Sequence, residues 1–431
     1  MNFLKTSFLT AISTIIRLMS GLVINKIVAI YVGPSGIALL GQFLNIFGII
    51  TNLGNGAINT GVTKYVAEYN ENLNKRNQVI SASIIIIICF SLITGFFVFL
   101  FSERISDIVL QSDKYRNIFK LLGVTLVFIS LNTFFLALLN GLKQIKQFVL
   151  VNIISSFVAL ILSSTLTIKF KLFGAFSATI LAQVIILLVS LVAITKLKDF
   201  KYKFKFSVNT NIYRRMFAFS LMTIVSIISV SLTQILIRDY IIDEFSIRKA
   251  GIWQGIWKVS EMYLMVLTTA FSTYYLPKLS ELKSRIELRN EIMSGYKIII
   301  PFVISSTLLV YLCRDFIIWL LFTPEFYEMR SLFFYQLLGD VFKMISWTLA
   351  FLMIAKAMTK SFIITELVFS LSFYLLTIIL TKTNGLIGVT QAYALNYLLY
   401  LLLMIYMFSE VLIGKKNCLI NKNKKMEGDY E

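Results

Sequence analysis

Eight charged side chains interrupt long apolar runs of this 431-residue chain: Arg17, Lys26, Lys120, Lys258, Glu261, Asp340, Lys343 and Glu366. A charge in such a setting is expensive to bury and marks a functional site by default, provided that its depth and facing agree. Lys120 and Glu366 lie close to a helix end and Lys26 near the outer end of its run, where a long side chain can snorkel to the interface. Arg17 passes the test, because it shares one helix face with Thr10, Ser13, Thr14, Ser20 and Gly21. At helical spacing, Gly251, Gln254, Lys258, Glu261, Met265, Thr268 and Ser272 make a second polar stripe, and Gln336, Asp340, Lys343 and Trp347 a third. Asn45, Asn52 and Asn59, with Thr63 just beyond, form an amide stripe about 40° wide. Thr223, Ser226, Thr233 and Gln234 line a further helix.

These residue types fit an anionic, polyhydroxylated ligand. Arginine offers a planar fork to phosphate and lysine a point charge, so Arg17, Lys258 and Lys343 are the candidates for a pyrophosphate. The amides of Asn45, Asn52, Asn59 and Gln254 suit sugar hydroxyls, and the carboxylates of Glu261 and Asp340 could take up a proton or Na⁺ as a coupling ion. Two plainer readings stand beside this one. Polar faces also glue membrane helices together, and Lys258 and Glu261, one turn apart, can neutralise each other.

Composition narrows the field. The chain is 58% hydrophobic and 15% charged, has no histidine, and carries three unclustered cysteines, Cys89, Cys313 and Cys418. Histidine acid–base chemistry, His-containing metal sites, the Ser-His-Asp triad and a disulfide framework are thereby excluded. The basic excess, 41 Lys+Arg against 22 Asp+Glu for a net +19, is scattered over short loops and lacks the clustered stripe of a nucleic-acid binder.

The elements that must position these side chains are membrane helices, since about 20 apolar residues span a hydrocarbon core of about 30 Å. Twelve spans are predicted, at 7–31, 37–62, 79–101, 118–140, 148–168, 173–195, 216–237, 250–276, 298–313, 331–354, 362–380 and 385–408. The first, with Arg17 and Lys26 and no small-residue cleavage site, reads as a retained helix. RDFIIWLLF, residues 314–322, is too short to cross and is placed at the interface with Trp319 at headgroup level. Alternate loops, including Lys64, Lys143 and Lys146, hold more than twice the Lys and Arg of the others, which puts them and both termini in the cytoplasm. Lys64, Lys143 and Lys146 thus form a candidate cytoplasmic mouth, and the basic inner surface favours anionic lipid.

Sliding the chain by 214 positions aligns Arg116–Leu188 with Arg330–Leu402 without a gap: Phe119 meets Phe333, Lys146 meets Lys360, and Gly174 meets Gly388. An even number of spans per half makes the repeats parallel. The expected architecture is all-α and integral to the membrane: two parallel six-helix bundles, 1–196 and 216–410, related by an axis along the membrane normal. A basic cytoplasmic linker, 197–215, joins them, and a basic tail, 411–431, follows.

The blocks TAISTIIRLMSGLVINKIVAIYVGPSGIALLGQF (10–43), TGVTKYVAEY (60–69), AGIWQGIWKVSEMYL (250–264), RDFIIWLLF (314–322), YQLLGDVFKM (335–344) and IAKA (354–357) resemble the Wzx-type flippases of O-antigen and enterobacterial common antigen (lipid III) units. These form the polysaccharide-transporter branch of the multidrug/oligosaccharidyl-lipid/polysaccharide (MOP) superfamily. The resemblance covers nearly the whole chain. It implies a twelve-helix protein of a Gram-negative inner membrane that flips an undecaprenyl-pyrophosphate-linked oligosaccharide from the cytoplasmic to the periplasmic leaflet, with a glycan polymerase and chain-length proteins as partners. The family's basic position in the first helix matches Arg17, its TKY segment Thr63, Lys64 and Tyr65, and its tenth-helix Asp and Lys match Asp340 and Lys343. Lys258 stands where related sequences carry a small polar residue, and the tail departs in length and charge.

Two other functions stay open from sequence. A cation-coupled multidrug exporter of the same superfamily would typically use an acidic residue in the N-terminal half, which has none within its spans. A membrane glycan polymerase would need a sizeable extramembrane loop, and the outer loops are short.

Overall fold

A computed structural model describes residues 3–70, 72–197, 210–270, 275–282, 284–356 and 358–412. Among these residues the chain is helical with no strand. The helices are α1 (Phe3–Gly54), α2 (Asn59–Glu68), α3 (Leu73–Leu100), α4 (Ser102–Leu110), α5 (Arg116–Gly141), α6 (Ile145–Thr195), α7 (Thr210–Glu244), α8 (Ile247–Ala270), α9 (Leu276–Glu281), α10 (Arg285–Leu312), α11 (Arg314–Leu321), α12 (Phe333–Ala355), α13 (Thr359–Asn384), α14 (Ile387–Met407) and α15 (Ser409–Leu412).

Among the described residues nine helices are long and apolar enough to cross a membrane. Two of them are double. At about 1.5 Å per residue, the 52 residues of α1 and the 51 of α6 far exceed one crossing, and each is broken once, at Gly33 (φ 66°) and at Lys171 (φ 51°). Pro34 follows the first break and cannot donate to a continuing helix. The nine therefore make eleven crossings. The twelfth is α8, whose 24 residues are long enough but include Arg248, Lys249, Gln254, Lys258 and Glu261, which lower its hydropathy.

The repeat is written into the backbone. α5 ends at Gly141 and α12 at Ala355, α6 begins at Ile145 and α13 at Thr359, and each pair is 214 positions apart. The residues that open the later helices match in conformation, Gln144 at φ −84°, ψ 61° and Met358 at φ −77°, ψ 60°. The turns match too: Lys171 (φ 51°, ψ −128°) corresponds to Gly385 (φ 58°, ψ −145°). Three residues on, the returning helix presses so close that a Cβ on Gly174 would lie 1.9 Å from the Leu166 carbonyl oxygen, and one on Gly388 2.4 Å from that of Leu380. Glycine is demanded at both places by space alone.

The chain forms two compact units, Met1–Asp239 with Leu320–Glu325, and Tyr240–Trp319 with Phe326–Glu431. The division falls inside α7 and not in the 197–215 segment expected as linker. Of that segment, 198–209 lies outside the described residues, and helix has begun by Thr210. The tail from 413 also lies outside them. In the first unit one core gathers Phe43, Phe119, Leu122 and Phe176, and another Tyr65, Val66, Phe134 and Leu138. The core of the second unit joins Leu264, Met344, Met353, Tyr400 and Met404.

Candidate functional site

In the second unit the polar stripes of α8 and α12 meet around one carboxylate. Asp340 is fully buried. Its Oδ2 accepts hydrogen bonds from Ser260 Oγ at 2.7 Å and Tyr263 Oη at 2.8 Å, and its Oδ1 accepts one from Tyr393 Oη of α14 at 2.8 Å. Three hydroxyl donors from two neighbouring helices satisfy a charge that would otherwise be prohibitive at this depth. α14 can come close enough because α12 offers Gly339 there; a Cβ on it would meet the Tyr393 ring at 2.3 Å.

One turn along α12, the Lys343 ammonium stands among four rings. Its Nζ lies 4.9 Å from the centroid of Trp347, 5.4 Å from Tyr397, 5.8 Å from Trp257 and 5.9 Å from Tyr393. All are within the reach of cation–π attraction, about 6 Å. Asp340, Glu261 and Glu366 are the carboxylates that act on it. Lys258 pairs with Glu261 at 3.3 Å, with their side chains 38% and 50% exposed, and Trp257 Nε1 donates to the same carboxylate at 3.1 Å. The five charges of this cluster are two lysines against three acids. The second unit is therefore less cationic here than the sequence predicts, because Glu366, set aside as a helix-end residue, joins it. Gln254 is buried in α8, and Ser272 of the expected stripe lies outside the described residues. Gln336, one turn before Asp340, is fully buried, and neither amide atom finds a hydrogen-bond partner among the described residues.

The first unit holds the other expected residues. Arg17 is exposed on α1, between buried Ser13 and Ser20. The asparagine stripe does not run on one helix. Asn45 and Asn52 belong to α1, but that helix stops at Gly54, Gly56 (φ 63°) and Ala57 (φ 52°) turn the chain, and Asn59 opens α2. Asn52 Nδ2 is spent on the Gly48 carbonyl at 2.9 Å, whereas Asn45 Nδ2 and Asn59 Oδ1 are buried without a partner among the described residues. The three mouth lysines do come together at one end of the unit. Thr63 Oγ1 bonds the Ala137 carbonyl at 3.2 Å, and Gly141 stands against the Thr63 carbonyl, so α2 with Lys64 lies on the turn that carries Lys143 and Lys146. All three are exposed, Lys143 in a left-handed conformation (φ 56°) and Lys64 5.4 Å from the centroid of its neighbour Tyr65.

Sequence reasoning missed a buried guanidinium. The predicted seventh span stops at 237, but α7 continues to Glu244 and buries Arg238 completely. Arg238 donates to Gln42 Oε1, and Gln42 Nε2 donates to Asp239 Oδ1 at 2.6 Å, which ties the end of α7 to the second arm of α1. Lys26, read as a snorkelling residue, donates to the Phe322 carbonyl beside an Asn25 bond to the Leu321 carbonyl at 2.9 Å. The adjacent Arg238-Asp239 pair, one helical turn beyond the polar residues Thr233 and Gln234, was the available signal.

The profile of the family described as polysaccharide biosynthesis protein matches residues 3–283. The lipid III flippases of Escherichia coli (strain K12) and Shigella flexneri are each 30% identical over 407 residues, 93% of this chain and 96% of theirs. Among solved structures, a multidrug resistance MATE family transporter of the MOP superfamily matches in its inward-facing form with TM-score 0.75 at 16% identity, over 92% of this chain and 98% of that one. An outward-facing multidrug resistance MATE family transporter of the MOP superfamily matches with TM-score 0.74 at 16% identity, over 95% of each. A MOP superfamily transporter from Pyrococcus furiosus, described as having a binding pocket of reverse polarity, matches with TM-score 0.73 at 16% identity, over 96% of this chain and 97% of that one. The architecture is that of an all-α membrane transporter, and the chain belongs to the polysaccharide biosynthesis protein family.

Proposed function

We propose that this protein is a flippase, a transporter and not an enzyme, that moves an undecaprenyl-pyrophosphate-linked oligosaccharide from the cytoplasmic to the periplasmic leaflet of a bacterial inner membrane by alternating access. The observation that carries this reading is the near-full-length likeness to lipid III flippases. The chemistry supports it. Lys64, Lys143 and Lys146 of the first unit attract the pyrophosphate at the cytoplasmic mouth, and Arg17 of the first unit and Lys258 of the second are each candidates to bind it. Lys258 is already held by Glu261, so phosphate binding there is an exchange of one anion for another. The released Glu261 carboxylate then favours uptake of a proton or Na⁺, and Asp340 is the second candidate for that coupling. The unpartnered amide atoms of Asn45 and Asn59, with Gln254, are placed to meet sugar hydroxyls, while the isoprenoid stays in lipid. Both termini are cytoplasmic, and a glycan polymerase with its chain-length protein consumes the product.

Complementation of flippase-null strains, each making one defined repeat unit, tests the reading. Restored surface glycan in at least one strain supports it. Failure in every strain despite normal insertion, together with drug hypersensitivity on deletion of the gene, would instead establish a drug exporter. Glycosidic bond formation by the purified protein would establish a polymerase.

A further inference from the structure

We propose that the four rings around Lys343 are a binding cage for an organic cation, which the protein fills with its own ammonium, so that Lys343 acts as a selectivity plug and its removal creates a quaternary-ammonium site. The cage is built for a cation and not merely packed round an aliphatic stem. Trp347, Tyr397, Trp257 and Tyr393 all have centroids 4.9–5.9 Å from the same nitrogen, the arrangement by which aromatic cages recognise choline-like and methylated ammonium groups. Three elements contribute, α8 through Trp257, α12 through Trp347, and α14 through Tyr393 and Tyr397. Two of the rings are also held in place independently of Lys343: the Tyr393 hydroxyl bonds Asp340 and Trp257 Nε1 bonds Glu261.

Charge points the same way. With Lys343 in place the surrounding groups are Lys258 against Asp340, Glu261 and Glu366. Without it the cage keeps one lysine against three acids, a distinctly anionic, ring-lined space. The cluster is not sealed: Glu261 and Lys258 have side chains 50% and 38% exposed, and Lys343, Trp347 and Tyr397 are partly exposed. The internal ammonium thus does the work of an excluded ligand: a permanently charged amine meets a site already occupied. In the 214-residue repeat, the positions matching Asp340, Lys343, Trp347, Tyr393 and Tyr397 are Leu126, Ile129, Thr133, Thr179 and Gln183, so the cage belongs to the second unit alone.

Titration of the purified full-length protein in detergent with tetramethylammonium chloride, followed by tryptophan fluorescence and calorimetry, tests this. Lys343→Ala is expected to bind tetramethylammonium at least tenfold more tightly than the unsubstituted protein, Lys343→Arg no more tightly, and Lys343→Ala/Trp347→Leu again weakly. A folded Lys343→Ala protein that gains less than threefold, or whose gain survives Trp347→Leu, would overturn the proposal. If the unpaired Asp340 prevents Lys343→Ala from folding, Lys343→Ala/Asp340→Asn removes both charges and keeps the rings, with Glu261 and Glu366. A smaller gain of the same sign supports the cage, and no gain overturns it.

Discussion

Asp340 shows what a charge needs at this depth: three hydroxyls aimed at two oxygens. Tyr393 serves twice, through its hydroxyl to Asp340 and its ring to Lys343. Tyr393→Phe separates the two, because it keeps the ring and removes the donor. A hydrogen bond to a charged group contributes about 1.5–3 kcal/mol in water-soluble proteins and on average only about 0.6 kcal/mol between membrane helices. Thermal unfolding in detergent should therefore show a loss of about 1 kcal/mol, and Tyr397→Phe, which keeps its ring on Lys343, a smaller one. Equal losses would mean that the hydroxyl bond to Asp340 contributes nothing special.

Arg17 and Lys258 call for a different measurement. The Lys258–Glu261 pair is half-exposed, and such pairs stabilise a fold by about 1 kcal/mol at most. Lys258→Ala leaves Glu261 its Trp257 bond, and Lys258→Gln keeps a polar partner for it; insertion of these variants and of Arg17→Ala is checked first. If Arg17 and Lys258 each supply one charge-assisted contact to pyrophosphate, about 1.5–3 kcal/mol, the rate of translocation at limiting substrate falls by about ten- to a hundredfold. Unchanged translocation in proteoliposomes by either variant would remove that residue from the pathway.

At the scale of elements, eleven of the twelve crossings were legible as long apolar runs, and the repeat because glycine and basic punctuation recur at a fixed offset. Both extend to the backbone: Gly174 and Gly388 recur because two helices press together there. What was not legible is local. Periodicity carries the asparagine stripe smoothly through Asn59, yet the Asn55-Gly56 turn signal ends α1, and Ala57 takes a left-handed conformation that nothing in an alanine announces. Arg238 was hidden by the opposite error, since hydropathy stops a helix at the first charges even where a partner, Gln42, lets it bury them. The repeat also yields a prediction at this scale. Lys171 occupies a region that favours glycine, and its counterpart is Gly385. Relief of such strain is worth about 1–3 kcal/mol, offset in part by the greater freedom of glycine in the unfolded chain. Lys171→Gly should raise the unfolding midpoint in detergent, Gly385→Lys should lower it, and a lower midpoint for Lys171→Gly would show that the strain is not real.

For the whole molecule, sidedness hangs on one helix. The positive-inside expectation for the basic segment 277–297, which follows α8, holds only if α8 crosses. α8 is the segment whose composition argues least for crossing, since Lys258 and Glu261 sit at its middle. Their mutual pairing, the Trp257 bond to Glu261 and the Ser260 and Tyr263 bonds to Asp340 of α12 are what make such a helix tolerable in a bilayer, where unpaired ions would cost about 2.5–3.5 kcal/mol each or more. Reporter fusions decide it. Alkaline phosphatase joined after Phe245, between α7 and α8, should be active on the outer side, and after Leu282, beyond α9, inactive. A fusion after Met407 should be inactive as well. If the Leu282 fusion were active, α8 would lie outside the membrane, the parity of the second half would fail, and the cluster around Asp340 would be an outward-facing surface with no part in carrying a substrate across.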